Sequence, residues 1–233
     1  MVPLVVIRPE PGCSASLAAA RAARLEAQGF PLFEVVARSW EAPPPGQFDA
    51  ILGGSANAFR HGGKGLALLR DLPVYAVGET TAAAAKEAGF GVVATGNGGL
   101  QGVIGTLPPQ HRRLLRLAGE ERVPLTLPRG ATMDERVVYA SVPRPMPPEM
   151  IGMLRAPAMV ALHSAEAARH MAAQCVTHGI RRSLLRLIAL GPRIASAAGD
   201  GWGEVATAAM PNDKALLALA LQMCQDPGPR GRD

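Results

Sequence analysis

Ala158-Met159-Val160-Ala161-Leu162-His163-Ser164-Ala165-Glu166 reads as a buried apolar strand that breaks at a serine into a helix. The same grammar stands earlier in the chain, where the run from Phe48 to Leu52 is followed by Gly53-Gly54-Ser55-Ala56-Asn57-Ala58. The match continues in order on both sides of these stretches. Ser55 and Ser164, Gly78 and Gly191, and Thr95 and Thr207 are 109, 113 and 112 residues apart. Offsets this nearly constant mark an internal duplication, and strands alternating with helices throughout mark parallel sheets. The expected fold is therefore α/β, with two similar parallel-sheet lobes.

Working outward, Val2 to Arg8 is a short strand that ends in a loop set by Pro9, Pro11 and Gly12. A helix is expected from Ser14 or Ser16 to a left-handed stop at Gly29. Leu32–Arg38 and Arg136–Val142 each stand alone beside a proline-rich stretch. Paired with each other they make a two-stranded linker, with a ligand cleft between the lobes. The first lobe is then discontinuous, 1–34 plus 143–225; the second is 39–135; 32–38 and 136–142 join them. The Asp-Pro-Gly-Pro-Arg-Gly-Arg-Asp tail, 226–233, is expected to be disordered.

Composition narrows the class. No run approaches the roughly 18 apolar residues that span a bilayer, and the start passes straight into a strand, so no leader and no membrane partner are expected. Three scattered cysteines, Cys13, Cys175 and Cys224, suit reduced thiols and a cytoplasmic location. The net charge of +5 suits an anionic ligand, but the arginines are scattered and no basic motif interleaved with aromatics argues for nucleic acid. With no stripe of exposed apolar residues evident, the expected state is a monomer.

Ligands of open α/β sheets bind beyond the carboxyl ends of the strands. Four turns have the right form, at Ser55, Thr80, Ser164 and Arg193, where helix amides and the helix dipole favour a carboxylate or phosphate. Read alone, Ser55, Thr80, Thr81 or Ser164 is simply a helix cap; four such turns in register across two copies point to shared anion binding. Gly62-Gly63-Lys64-Gly65 lacks the ending of a Walker loop. Gly96-Asn97-Gly98-Gly99 lacks the dinucleotide fingerprint, so no cofactor is expected there. Of the five histidines, His163, His170 and His178 share a helix flank by spacing, but no cysteine or acid completes a metal set. No serine sits in a nucleophile elbow. Tyr139, in Val137-Val138-Tyr139-Ala140-Ser141, is either a phenol able to donate a proton to a leaving oxygen or an amphipathic ring packed on a sheet edge.

In their order and spacing, the Arg8-Pro9 strand end, Ser55-Ala56-Asn57-Ala58, Ala76-Val77-Gly78-Glu79-Thr80-Thr81-Ala82, Val138-Tyr139 and Ala189-Leu190-Gly191-Pro192 resemble the uroporphyrinogen-III synthase family over nearly the whole chain. The resemblance implies a cofactor-independent, cyclising lyase of haem biosynthesis. Such enzymes expel water from hydroxymethylbilane, a linear tetrapyrrole, and close the ring with ring D inverted, through a spiro intermediate. It implies that Tyr139 assists loss of the hydroxyl. It also implies that Arg8, Pro9, Ser55, Ala56, Asn57, Gly78, Thr80, Thr81, Ser164, Ala165, Gly191, Arg193 and Ile194 bind substrate, with no metal. Two departures stand out: Gly54-Ser55 where relatives commonly carry Thr-Ser, and Gly191-Pro192-Arg193-Ile194 where they carry Gly-Pro-Thr-Thr. The segment from Arg116 to Glu135 is short for a full βα unit, so a reduced helix is expected there. These departures keep a second reading open, a non-catalytic binder of a tetrapyrrole or another polyanion.

Overall fold

The structure, a computed structural model, describes residues 2–96 and 99–225. The 226–233 tail, and Asn97 and Gly98 of the glycine-rich turn, lie outside the described residues. In chain order the elements begin with β1 (Leu4–Val6), α1 (Gly12–Ala22), β2 (Ala27–Gly29), β3 (Phe33–Ala37), β4 (Ala50–Gly53), α2 (Ala56–His61), β5 (Val74–Ala76), α3 (Glu79–Glu87), β6 (Val92–Thr95) and α4 (Leu100–Ile104). They continue with β7 (Arg113–Gly119), β8 (Thr132–Pro143), α5 (Pro148–Met153), β9 (Ala158–Leu162), α6 (Ala165–Thr177), β10 (Leu185–Ala189), α7 (Pro192–Ala197), β11 (Glu204–Thr207) and α8 (Asp213–Gln225).

The chain forms two units, one of Met1–Glu34 and Pro143–Asp233, the other of Val35–Val142. In the first, five strands run in the order β11-β10-β9-β1-β2, each parallel to its neighbour. In the second the order is β6-β5-β4-β7-β8-β3, parallel from β6 to β8. The strands expected to join the lobes thus form β3 and most of β8, which are neighbours at one edge of the second sheet. The first five positions of the two orders correspond, with β4 in the place of β9, β7 in that of β1 and β8 in that of β2. The duplication read from spacing is therefore a structural one. Ser55 and Ser164 cap α2 and α6, Gly78 and Gly191 precede α3 and α7 with nearly identical extended backbones, and Thr95 and Thr207 end β6 and β11.

Strand periodicity builds the layers. Val5, Val160, Leu162, Leu187 and Ala189 enter one core of the first unit, while their neighbours Leu4, Val6, Met159, Ala161 and Ile188 enter another. Alternate residues of a strand face opposite sides of the sheet, so this sheet is apolar on both faces and helices cover both. The second unit repeats the plan, with Ile51, Val74 and Leu115 on one face and Ala50, Leu52, Tyr75 and Leu114 on the other.

Two expectations change. The first helix ends at Ala22, seven residues before Gly29, and Arg24 takes the left-handed conformation (φ 59°). The turn lets Leu25 bury itself and Ala27–Gly29 add to the sheet. Gly29 serves close packing: a β-carbon there would stand 2.7 Å from Cys13 Sγ. The histidines also part company, because His163 precedes α6, His170 lies within it and His178 caps its end.

Candidate active site

In a doubly wound sheet the ligand site lies where the strand order reverses, beyond the carboxyl ends of the two strands flanking that point. In the second unit those strands are β4 and β7. Gly54 and Ser55 follow β4, and Leu117, Ala118 and Gly119 end β7; all five line a pocket of 380 Å³ that Tyr139 also faces. The segment after β7, which contains no helix among the described residues, supplies another wall through Arg122 and Val123.

Tyr139 reaches this pocket through a slip in strand register. Ala118 pairs with Val137, but Gly119 pairs with Tyr139, skipping Val138. Val138 is left fully buried in the core, while the half-buried Tyr139 ring lies across the Gly119 backbone. A β-carbon at Gly119 would stand 2.7 Å from Tyr139 Cζ and 2.9 Å from the phenolic oxygen. Glycine at 119 is what allows the phenol this position.

Charge enters the pocket through a trio that sequence reasoning missed. Arg116, on β7, is 6% exposed, and its Nη1 donates to Glu135 Oε1 (2.7 Å) and to the Val123 carbonyl (3.0 Å). Arg122 Nε donates to the other Glu135 oxygen (2.7 Å), and its Nη1 to the Glu120 carbonyl (2.8 Å). Burial alone would raise the Glu135 pKa; hydrogen bonds from Arg122 and Arg116 outweigh it and hold the carboxyl below its ordinary value. By residue type Arg116 is indistinguishable in sequence from the other scattered arginines. The signal that would have separated it is its place among the apolar residues of Leu114–Leu117.

In the first unit the strand order reverses between β1 and β9, and a second polar cluster sits there. Arg8 Nη1 donates to both Asp213 oxygens (3.0 and 2.9 Å), Ser16 Oγ donates to Oδ2, and His163 Nε2 lies 2.9 Å from Oδ1. Burial pushes Asp213 up, but the hydrogen bonds from His163 and Ser16 and the Arg8 charge hold it at about 2. The His163 side chain is 8% exposed and its Nδ1 is buried without a hydrogen-bond partner among the described residues. Of this cluster only Arg8 and the Ser164 turn beside His163 were expected at the site, and the Arg8 guanidinium is engaged by an internal carboxylate. Pro9 is half-buried beside it, and its carbonyl accepts from the Cys13 amide.

The remaining expected residues fall at helix starts. Ser55 Oγ accepts from the Asn57 amide, with Ala56 buried behind it; Ser164, exposed, caps α6 through the Ala167 amide, with Ala165 next. Thr80 is exposed, whereas Thr81 is 4% exposed and packs inward. Gly78 and Gly191 shape the turns before α3 and α7. Arg193 is exposed and unpaired among the described residues, while Ile194 packs on the first unit's core. The structure brings only Ser55 and Tyr139 from the expected set to the pocket wall. No group of three metal-ligating side chains occurs among the described residues, and no helix among them is long and apolar enough to cross a membrane.

Comparison with known proteins bears directly on this architecture. The sequence profile of the family described as uroporphyrinogen-III synthase HemD matches residues 16–218. The fold is similar to that of uroporphyrinogen-III synthetase from Helicobacter pylori 26695 (TM-score 0.66, 19% identity, 96% of this chain and 100% of that one). It is also similar to a mutant uroporphyrinogen III synthase from the extremely thermophilic bacterium Thermus thermophilus (TM-score 0.57, 20% identity, 97% and 100%). No curated protein sequence matches.

Proposed function

Because the chain belongs to the uroporphyrinogen-III synthase family, cofactor-independent lyases that cyclise hydroxymethylbilane with loss of water in haem biosynthesis, we propose that Tyr139 is its catalytic acid. The carrying observation is the phenol set over Gly119 in the pocket wall, two strands along the sheet from the switch-point strand β4 and lining the same pocket as Ser55. The hydroxyl of the substrate leaves as water and takes the phenolic proton as its C–O bond breaks. Ring closure later releases a proton from the attacking pyrrole carbon, and the phenolate takes it back.

Most of the work is positional, since a linear tetrapyrrole closes on its own to the uninverted ring. Holding one folded shape of the chain decides the isomer. Helix-start amides grip the substrate's many carboxylates, at Ser55-Ala56-Asn57, Gly78-Thr80-Thr81, Ser164-Ala165 and Gly191-Arg193-Ile194, with Arg8 and Pro9 beside them. The enzyme works as a monomer in the cytoplasm, without nucleic acid, a location supported by three free thiols of which two are buried.

The test is incubation with freshly made hydroxymethylbilane and identification of the uroporphyrinogen isomer. Isomer III is expected, with Tyr139→Phe slower by about 10²-fold or more, the usual weight of a positioned acid. Full turnover by Tyr139→Phe would remove its role. Isomer I alone, at the spontaneous rate, would remove the activity.

A further inference from the structure

Three charged side chains line the pocket of the second unit, and they are not equivalent. Arg116 is buried and its bonded nitrogen is committed to Glu135 and the Val123 carbonyl. Glu121 is exposed on the solvent side. Arg122 lies between these extremes. Its side chain is 33% exposed, its Nε and Nη1 are fixed on Glu135 and the Glu120 carbonyl, and its Nη2 has no partner among the described residues. Two guanidinium groups share one carboxylate here, so Arg116, Glu135 and Arg122 carry one net positive charge among themselves, with the exposed Glu121 carboxylate on the same pocket wall.

Hydrogen bonds tether the segment holding Arg122. Arg116 fastens the Val123 carbonyl, and Gln101 clasps Thr126 twice, its Nε2 donating to the Thr126 carbonyl (2.8 Å) and its Oε1 accepting from the Thr126 amide (2.8 Å). The segment that begins at Arg122 is thus tied down at two points beyond it. Glu135 fixes the rotamer through its bond to Arg122 Nε. A guanidinium whose Nη2 is without a partner among the described residues suits a carboxylate, which it binds by charge-assisted hydrogen bonds.

We propose that Arg122 is a substrate-reading residue that binds one carboxylate of the linear tetrapyrrole in this pocket, while Arg116 and Glu135 are positioning residues that aim it. The assignment rests on the activity proposed above, and it adds side-chain recognition to a grip otherwise made by main-chain amides. The internal Glu135 pair leaves Arg122 one edge for the substrate and sets its direction.

The test is steady-state kinetics with isomer analysis on wild type, Arg122→Gln, Arg122→Lys and Glu135→Gln, with the melting temperature of each. Loss of one partly exposed charge-assisted contact predicts a KM for hydroxymethylbilane raised about tenfold in Arg122→Gln, with kcat nearly kept and isomer III still formed. Arg122→Lys recovers part of the KM, because charge remains without the planar edge. Raising salt weakens wild-type binding more than that of Arg122→Gln. Glu135→Gln raises KM less than Arg122→Gln, since it loosens Arg122 without removing it. If wild type makes isomer III and Arg122→Gln keeps the wild-type KM, this inference alone falls. It also falls if Arg122→Gln lowers kcat and melting temperature together and leaves KM unchanged, the mark of a structural residue. If wild type yields only isomer I, the activity falls first and this assignment with it.

Discussion

Replacing Gly119 with alanine moves the proposed acid without touching it chemically. The new β-carbon would sit 2.7 Å from Tyr139 Cζ, 2.8 Å from Cε2 and 2.9 Å from the phenolic oxygen. Carbon atoms rest about 3.5–4.0 Å apart, so the outer end of the ring must retreat by about 1 Å. The ring is only half-buried, which puts the stability cost toward the low end of the ~1–3 kcal/mol typical of overpacking. At this chain length about 1 kcal/mol shifts the melting temperature by roughly 2–4 °C. The catalytic cost is larger, because a misplacement of about 1 Å costs on the order of 10²-fold. Gly119→Ala should therefore melt near wild type and turn over hydroxymethylbilane about 100-fold more slowly. The double variant supplies the control: if Gly119→Ala acts only through the phenol, it should slow Tyr139→Phe by less than about threefold, a strongly non-additive cycle. Wild-type turnover by Gly119→Ala, or additive losses in the double variant, would refute the placement of Tyr139 as the acid.

The first unit offers a pH signature. Asp213 is lowered from 3.8 to about 2, so its contribution is complete above its unfolded pKa and fades as pH falls from about 4 to about 2; at ~1.36 kcal/mol per unit it amounts to about 2 kcal/mol. Urea unfolding of Asp213→Asn against wild type, read by Trp202 in a Trp40→Phe background, should show that deficit at pH 7 and little of it at pH 2, and an equal deficit at both would assign the loss to packing. Thiol chemistry gives a second check: burial pushes Cys13 and Cys175 up to about 11, whereas Cys224 is only half-buried. A thiol reagent at pH 8 should label Cys224 first and reach the other two only on unfolding; early labelling of Cys175 would contradict the packing of α6.

What could be read from sequence was whatever depends on a few neighbouring residues. Ser55 and Ser164 were recognisable because a cap serine between an apolar strand and a helix is a local pattern, and the structure places both as caps. The turns at Gly78 and Gly191 follow from the same short-range rules. β2 escaped because Ala27-Gln28-Gly29 has no β-branched or aromatic residue; it becomes a strand only because β1 stands alongside it. Arg122 and Glu135 are thirteen residues apart in sequence, and nothing local announces that two strands and a loop bring them together. The register slip at Ala118–Gly119, which decides what Tyr139 faces, belongs to a pair of strands and has no signature in either alone.

The duplication places a pocket at the switch point of the second unit and a polar cluster at that of the first. Between β1 and β2 the first unit inserts an eleven-residue helix, α1, which packs Cys13 and Ala20 against the sheet and sends Ser16 to Asp213. At the corresponding place, between β7 and β8, the second unit has no helix among its described residues. After the last parallel strand the first unit carries α8, thirteen residues long; its counterpart α4 has five. Both shortenings fall on the same side of the sheet, since α1 and α8 share one core of the first unit while α4 packs on the equivalent face of the second. Removing helical bulk from a switch point leaves space beyond the strand ends, and 380 Å³ of it remains open around Tyr139 and Arg122. In the first unit the same position holds the Arg8, Ser16, His163 and Asp213 network, with the Arg8 and Asp213 side chains 32% and 30% exposed. The first copy thus carries the longer covering helices and pairs its polar groups with each other, while the second, with the shorter α4, leaves the Arg122 Nη2 and a phenol facing unfilled volume.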